Sequence, residues 1–229
     1  MCHYFITATD TDAGKTYISS MLLQTAKQSG LKCIGFKPIA SGSEVTPEGL
    51  RNDDALKIQS ANSIALTYEQ FNPYSFVPAI APHIAAQQAG ISISIDKITA
   101  LYKAIVADHQ PDFSLLEAVG GWEVPLDDNF GIPDLAKSVS LPIIVVVKIK
   151  LGCINHALLT LKAIQAEGLE IKGWIANDVL DDAITRQNIA AIEKRTYVPL
   201  LARITHWHEQ SANESQRRQE FEDLLAAIV

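Results

Sequence analysis

Hydrophobic residues along this chain fall into two kinds of run that alternate from one end to the other. Continuous apolar stretches, as expected of strands buried on both faces, predict strands at 3–7, 33–37, 113–117, 142–147, 171–176 and 200–204. Between them apolar positions recur at helical spacing and predict helices at 14–29, 54–60, 96–109, 154–166, 182–195 and 216–228. In the first helix Ile18, Met21, Leu22, Thr25 and Ala26 share a face, and Gly30 follows the last turn, where a left-handed cap is wanted. The densest run, from Leu141 to Val147, is expected at the centre of the sheet. Strands alternating with helices predict an α/β protein, a three-layer, doubly wound, mainly parallel sheet with helices on both faces. No repeat, low-complexity segment or linker interrupts the pattern, so residues 1–229 read as a single domain. Residues 40–90 form the exception, a long irregular segment; loops of that length inside a domain usually carry function.

Composition then removes whole classes of function. With 48% hydrophobic residues the chain can bury a sizeable core. A net charge of −7 argues against general nucleic-acid binding, which wants a basic footprint. Cys2, Cys33 and Cys153 are odd in number and far apart, which suggests reduced thiols in a cytosol and no disulfide frame or zinc site. The first strand begins within a few residues of Met1, leaving no room for a signal peptide, and no apolar run reaches the ~20 residues of a membrane span. A soluble cytoplasmic protein is expected, with neither nucleic acid nor membrane as partner.

The chemistry concentrates where strands end. Phe5-Ile6-Thr7-Ala8 leads into the polar loop Thr9-Asp10-Thr11-Asp12-Ala13, and Gly14-Lys15-Thr16 opens the first helix. Strand, loop and helix in that order make a phosphate-binding loop, even though Thr9 stands where the strict pattern asks for glycine. Backbone N–H groups near Gly14 and the helix N-terminus would cradle phosphate, Lys15 would reach the β- and γ-phosphates, and the Thr16 hydroxyl would hold Mg²⁺. Lys37 ends the second strand before Pro38 and would add a second ammonium beside the loop, with no buried partner of its own. Glu117 ends a strand just before Gly120-Gly121, where nucleotide-hydrolysing proteins place a magnesium carboxylate; Asp54 is a second candidate or an ordinary first-turn residue. The helix opening at Lys150-Leu151-Gly152-Cys153-Ile154-Asn155-His156 offers another anion site, with Cys153 read as a packed thiol. Asn177 and Asp178 could read an adenine edge or form a turn.

Taken together, Ala-Thr-Asp-Thr-x-x-Gly-Lys-Thr, Lys37-Pro38-x-Ala40-Ser41-Gly42, Arg51-Asn52-x-Asp54-Ala55, Pro82-His83-Ile84, the Lys150–His156 run and Ala176-Asn177-Asp178 resemble dethiobiotin synthetase. The resemblance extends to about Glu209, and the Lys-Leu-Gly-Cys-Ile-Asn-His run is specific to that family. It implies a P-loop NTPase fold and a ligase that uses ATP, Mg²⁺ and CO₂ (or bicarbonate) to convert 7,8-diaminononanoate to dethiobiotin in biotin biosynthesis. One amine takes up CO₂ as a carbamate that attacks the γ-phosphate, and the other displaces phosphate from the mixed anhydride. By position, Lys15 and Lys37 match the γ-phosphate and carbamate clamps, and Thr11 and Ser41 match the hydroxyls beside them. Thr16, Asp54 and Glu117 match the metal set. The ATP-binding set extends to Asp12, Ala13, Gly14 and Tyr17 around the loop and to Ala118, Val119 and Gly120 after Glu117. Asn177 matches the adenine reader, with Asp178, Thr205, His206, Trp207 and Glu209 near base and ribose. Gly152, Cys153, Ile154 and Asn155 resemble the element that binds the substrate carboxylate across a homodimer interface. The chain departs from the family at Ala8 and Ala118, where glycine is usual, at Val119 and at Thr205, where proline is usual.

Two alternatives share the loop. A catalytically weakened paralogue would fit the replaced glycines. A partition or positioning ATPase would act as a dimeric switch, but its loop begins with a second lysine that Thr9-Asp10-Thr11 does not supply, and membrane-positioning members end in a basic helix where this tail carries Glu220, Glu222 and Asp223.

Overall fold

The computed structural model describes residues 1–180, 182–205 and 214–229, with the side chains of Asp178 and Val179 outside the description. In chain order the elements begin β1 (Cys2–Ala8), α1 (Lys15–Gln28), β2 (Cys33–Phe36), β3 (Ile39–Ser41), β4 (Glu44–Thr46), β5 (Gly49–Arg51), α2 (Asp53–Ala61) and α3 (Tyr68–Phe71). Then come β6 (Tyr74–Phe76), α4 (Pro82–Ala89), α5 (Ile95–His109), β7 (Phe113–Glu117), α6 (Ile132–Val139) and β8 (Ile143–Lys148). The chain continues through α7 (Cys153–Ala166), β9 (Ile171–Val179), α8 (Ala183–Glu193), β10 (Leu200–Thr205) and α9 (Glu214–Ile228).

Six strands form one sheet in the order β10-β9-β8-β1-β7-β2, every neighbouring pair parallel. The apolar run expected at the centre is β8, next to β1. Side chains alternate across the sheet, and the two sets feed separate cores. Phe5, Ile143, Val145 and Val147 pack with α5, α6, α7 and α8. Tyr4, Ile6, Ile144 and Val146 pack with Ile18, Leu22 and Leu23 of α1 and Phe221, Leu224 and Ile228 of α9. Strands buried on both faces explain why their sequences are apolar runs and not alternating ones. The expected three-layer, doubly wound parallel architecture is what the chain adopts.

After β1 the chain first fills the sheet on one side, with β2 and then β7, and afterwards on the other, with β8, β9 and β10. The reversal falls at β1, and in open α/β sheets a ligand crevice lies outside the strand ends at such a point. Gly30 takes the left-handed conformation just past α1 (φ 83°), as its position in the sequence predicts.

Residues 40–90 need a correction: they are not irregular. β3 pairs in parallel with β6, β4 and β5 make a hairpin, and α2, α3 and α4 are regular. The helix expected at 54–60 is α2, whereas strands of three residues and helices of four to eight show too little periodicity to be seen in hydropathy. α4 did carry a start and stop signal, Pro82 in its first turn and a left-handed Gly90 after its last. α6 was missed for the same reason of length. Among the described residues no helix is long and apolar enough to cross a membrane, and Cys2, Cys33 and Cys153 carry free thiols.

Candidate active site

The loop between β1 and α1 works only with glycine at position 14. Gly14 adopts φ 91°, and a Cβ there would lie 2.1 Å from Nδ2 of Asn177. Asn177 is 7% exposed, at the end of β9, and donates from Nδ2 to the Ala13 carbonyl at 2.9 Å. One proton of the proposed adenine reader is thus spent on holding the loop, and base recognition falls to its other proton and its carbonyl oxygen. Asp12 also takes a left-handed conformation (φ 56°) in the turn before Gly14. The loop and its surroundings border a cleft of about 1010 Å³.

Glu117 is a buried hub that does not itself line the cleft, although two of its donors, Lys37 and Thr16, do. It ends β7, is 1% exposed, and receives three donors. Lys37 Nζ lies 2.6 Å from Oε1, Thr16 Oγ1 donates to the same oxygen at 2.8 Å, and Ser19 Oγ donates to Oε2 at 2.6 Å. This corrects the expectation that Lys37 has no buried partner. Sequence could not supply the pairing, because 80 residues separate the two ends and only the adjacency of β2 and β7 brings them together.

Lys15 is also buried and donates to the carbonyls of Asp10 (3.3 Å) and Gly120 (2.5 Å). Burial pulls its ammonium down, Glu117 opposes that, and the charge of Lys37 reinforces it, leaving a pKa of about 8. Gly120 reaches Lys15 in a left-handed conformation (φ 62°), and a Cβ there would meet Val124 Cγ2 at 2.7 Å. Two ammonium groups and a helix N-terminus on one cleft suit a transferring phosphoryl group.

Asp54 and Ser41 complete the far wall. Asn52 caps α2, accepting from Ala55 N at 3.2 Å, and its Nδ2 donates to the Ser41 carbonyl at 3.1 Å, which joins the two segments. Asp54 follows in the first turn, lines the cleft and pairs loosely with Lys57 at 3.7 Å. Ser41 Oγ borders the cleft, buried and without a hydrogen-bond partner among the described residues, as befits a hydroxyl waiting for a ligand. For a metal, the donors at hand are the Thr16 hydroxyl and the carboxylates of Glu117 and Asp54. These are hard oxygen ligands of the number that Mg²⁺ takes when phosphates and water fill its remaining positions, so the residues fit that ion.

The other candidates divide between the cleft and its rim. Thr11, Asp12, Gly14, Lys15, Thr16 and Tyr17 line the cleft from the loop side, and Val119 and Gly120 from the β7 side. Ala13 and Ala118 are each 1% exposed, so only their backbones can serve a nucleotide. Thr205, which lacks the family's proline, spends its freed N–H and its hydroxyl on Glu220 of α9, at 3.2 and 2.5 Å. His206, Trp207, Glu209 and the side chain of Asp178 lie outside the described residues. Gly152, Cys153, Ile154 and Asn155 start α7 but do not line this cleft; Cys153 is packed at 2% exposure, whereas Asn155 is exposed. Their neighbour Lys150 reaches Asp10 of the loop at 2.9 Å, and that contact holds the Asp10 carboxyl below its usual range. Sequence reasoning missed Ser19; a serine on the buried face of an amphipathic helix was the available signal.

A family model described as an AAA domain matches residues 3–215. The chain is 46% identical over 208 residues to an ATP-dependent dethiobiotin synthetase BioD of Pseudomonas aeruginosa PAO1, covering 90% of each. A protein of the same description from Cellvibrio japonicus is 42% identical over 225 residues, 98% of each chain. In fold the chain resembles the solved MinC:MinD cell division protein complex of Aquifex aeolicus, with a TM-score of 0.63 at 14% identity over 99% of this chain and 95% of that one.

Proposed function

The chain belongs to the ATP-dependent dethiobiotin synthetase family, and on that premise we propose how its own residues carry the reaction. The enzyme is an ATP-dependent ligase that forms a C–N bond in dethiobiotin synthesis. Its substrates in this reading are 7,8-diaminononanoate, CO₂ and ATP. One amine adds to CO₂ and loses a proton to give a carbamate. A carbamate oxygen attacks the γ-phosphorus and ADP leaves. The second amine then attacks the carbonyl carbon of the mixed anhydride and loses a proton, the C–O bond breaks, phosphate departs, and the cyclic urea closes.

Such a path needs positioning and charge neutralisation more than a nucleophilic side chain. Lys15 holds the γ-phosphate, Lys37 bridges the carbamate and the phosphoryl group, and Ser41 and Thr11 donate hydroxyl hydrogen bonds beside them. Thr16, Glu117 and Asp54 would hold Mg²⁺, which when bound would neutralise negative charge on the phosphates. The backbones from Ala13 to Tyr17 and from Ala118 to Gly120 cradle the nucleotide, and Asn177 and Thr205 lie on the base side. The start of α7, at Gly152–Asn155, serves the cleft of a second copy by binding the substrate carboxylate, which makes the active species a homodimer. We read residues 1–229 as one ATP-binding domain acting in the cytoplasm.

The observation that carries this reading is the convergence of Lys15, Lys37 and the unpartnered Ser41 hydroxyl on one cleft. A positioning ATPase is not favoured, since the likeness to MinD is one of fold at 14% identity. The ureido-forming reading is tested by following phosphate release with Mg-ATP, with and without the diamine and bicarbonate. Release that depends on both supports it, and release indifferent to the diamine would overturn it.

A further inference from the structure

We infer that Ser19 is a positioning residue for the nucleotide's metal, acting through Glu117. The inference rests on the reading that Glu117 serves Mg²⁺. Ser19 lies one turn beyond Lys15 on α1, faces β7, and is 1% exposed between Ile18 and Leu22. Serine is a poorer helix former than alanine, and a buried hydroxyl is costly unless bonded. A helical serine commonly bonds back to the carbonyl one turn earlier. Ser19 instead donates across the layer to Glu117 Oε2 at 2.6 Å.

The two carboxylate oxygens are unequally served. Oε1 receives both Thr16 and Lys37, the groups the reaction recruits for the metal and for the transferring phosphoryl group. Oε2 receives Ser19. If nucleotide and metal engage Thr16 and Lys37, the Ser19 bond would remain to fix the rotamer of Glu117. Partners that orient a ligating carboxylate are typically worth about 10–100-fold in metal affinity. Ser19 touches neither nucleotide nor metal, so its effect appears in metal linkage before it appears in nucleotide contact.

The test is calorimetric binding of ADP to the full chain, with Mg²⁺ and with EDTA, alongside thermal unfolding of each variant. For Ser19→Ala the Mg²⁺-dependent gain in ADP affinity should shrink about tenfold or more, while affinity in EDTA stays near wild type. Ser19→Cys keeps the size and a weaker donor and should fall between the two. A Ser19 that only packs α1 against β7 would lower the melting temperature and leave the Mg²⁺ gain intact, and that result would overturn the inference. Glu117→Gln is the reference: it should abolish the gain. Wild-type Mg²⁺ linkage in Glu117→Gln would instead refute the metal role of Glu117 itself, a failure distinguishable from that of Ser19.

Discussion

Lys37→Gln separates a clamp from a strand-end lysine, and the structure sets its magnitude. Lys37 Nζ and Glu117 Oε1 are 2.6 Å apart with side chains 6% and 1% exposed. Removing one partner of a fully buried pair typically costs 3–5 kcal/mol, roughly, because the other charge is stranded. Here Thr16 and Ser19 still bond the carboxylate, and glutamine retains a donor on a shorter stem. The loss is then closer to that of one hydrogen bond to a charged group, about 2 kcal/mol. In a chain of this size that lowers the melting temperature by ~4–8 °C. Turnover should fall further, by ~10²–10³, since a preorganised cation is removed from a centre where negative charge is redistributed. The double variant Lys37→Gln, Glu117→Gln replaces the ion pair by two amides that can bond each other. It should regain part of the stability and none of the activity. The assays are calorimetric unfolding without ligand and diamine-dependent phosphate release on the same preparations. A single variant that melts within about 0.5 kcal/mol of wild type and turns over within roughly twofold would refute both the pairing and the clamp.

Lys15, with a pKa of about 8 against 10.5 when unfolded, should make nucleotide binding proton-linked. The phosphates favour its charged form, so binding should take up close to half a proton near pH 8 and almost none well below it; calorimetry in buffers of different ionisation enthalpy measures this, and Lys15→Ala should abolish it. By the same sign the unliganded chain binds fewer protons than the unfolded one between pH 8 and 10.5, so this lysine's contribution makes stability rise with pH through that window. Gly14→Ala places a methyl 2.1 Å from Asn177 Nδ2 on a left-handed backbone, and should lose ADP binding and melt earlier; Asn177→Ala added to it relieves the clash but not the backbone strain, so binding should return only in part. If the start of α7 serves the substrate carboxylate of a neighbouring cleft, Asn155→Asp would put a charge against it. Each of Lys37→Gln and Asn155→Asp should be nearly inactive alone, and mixing them should restore activity if the cleft is shared; no restoration by mixed dimers would argue for a self-contained protomer.

What sequence revealed and what it hid follow a physical line. The long strands and helices announced themselves because each must bury a face, which imposes a period or an apolar run over many residues. α2 was legible, as the helix expected at 54–60, but α3, α4, α6 and the three-residue strands between β2 and α5 escaped because three to eight residues carry at most about two periods. At the site, Lys15, Thr16 and Glu117 could be read from their places at strand and helix ends. Ser19 and the Lys37–Glu117 pair could not, because both depend on which strands become neighbours: β7 slips between β1 and β2 although it comes much later in the chain. The adenine reading of Asn177 had no way to foresee that Gly14 would need its amide as a support.

The central claim is that a carbamate oxygen, and not water, attacks the γ-phosphate. Turnover with ¹⁸O-enriched bicarbonate in unlabelled water, quenched before the label exchanges with solvent, tests it most directly. Each closing of the ring should leave one oxygen of the CO₂ in the urea and pass another to inorganic phosphate, so phosphate should carry one ¹⁸O for every dethiobiotin formed. Unlabelled phosphate released alongside dethiobiotin would contradict the account, because ATP would then be hydrolysed by water while the ring closed by another route.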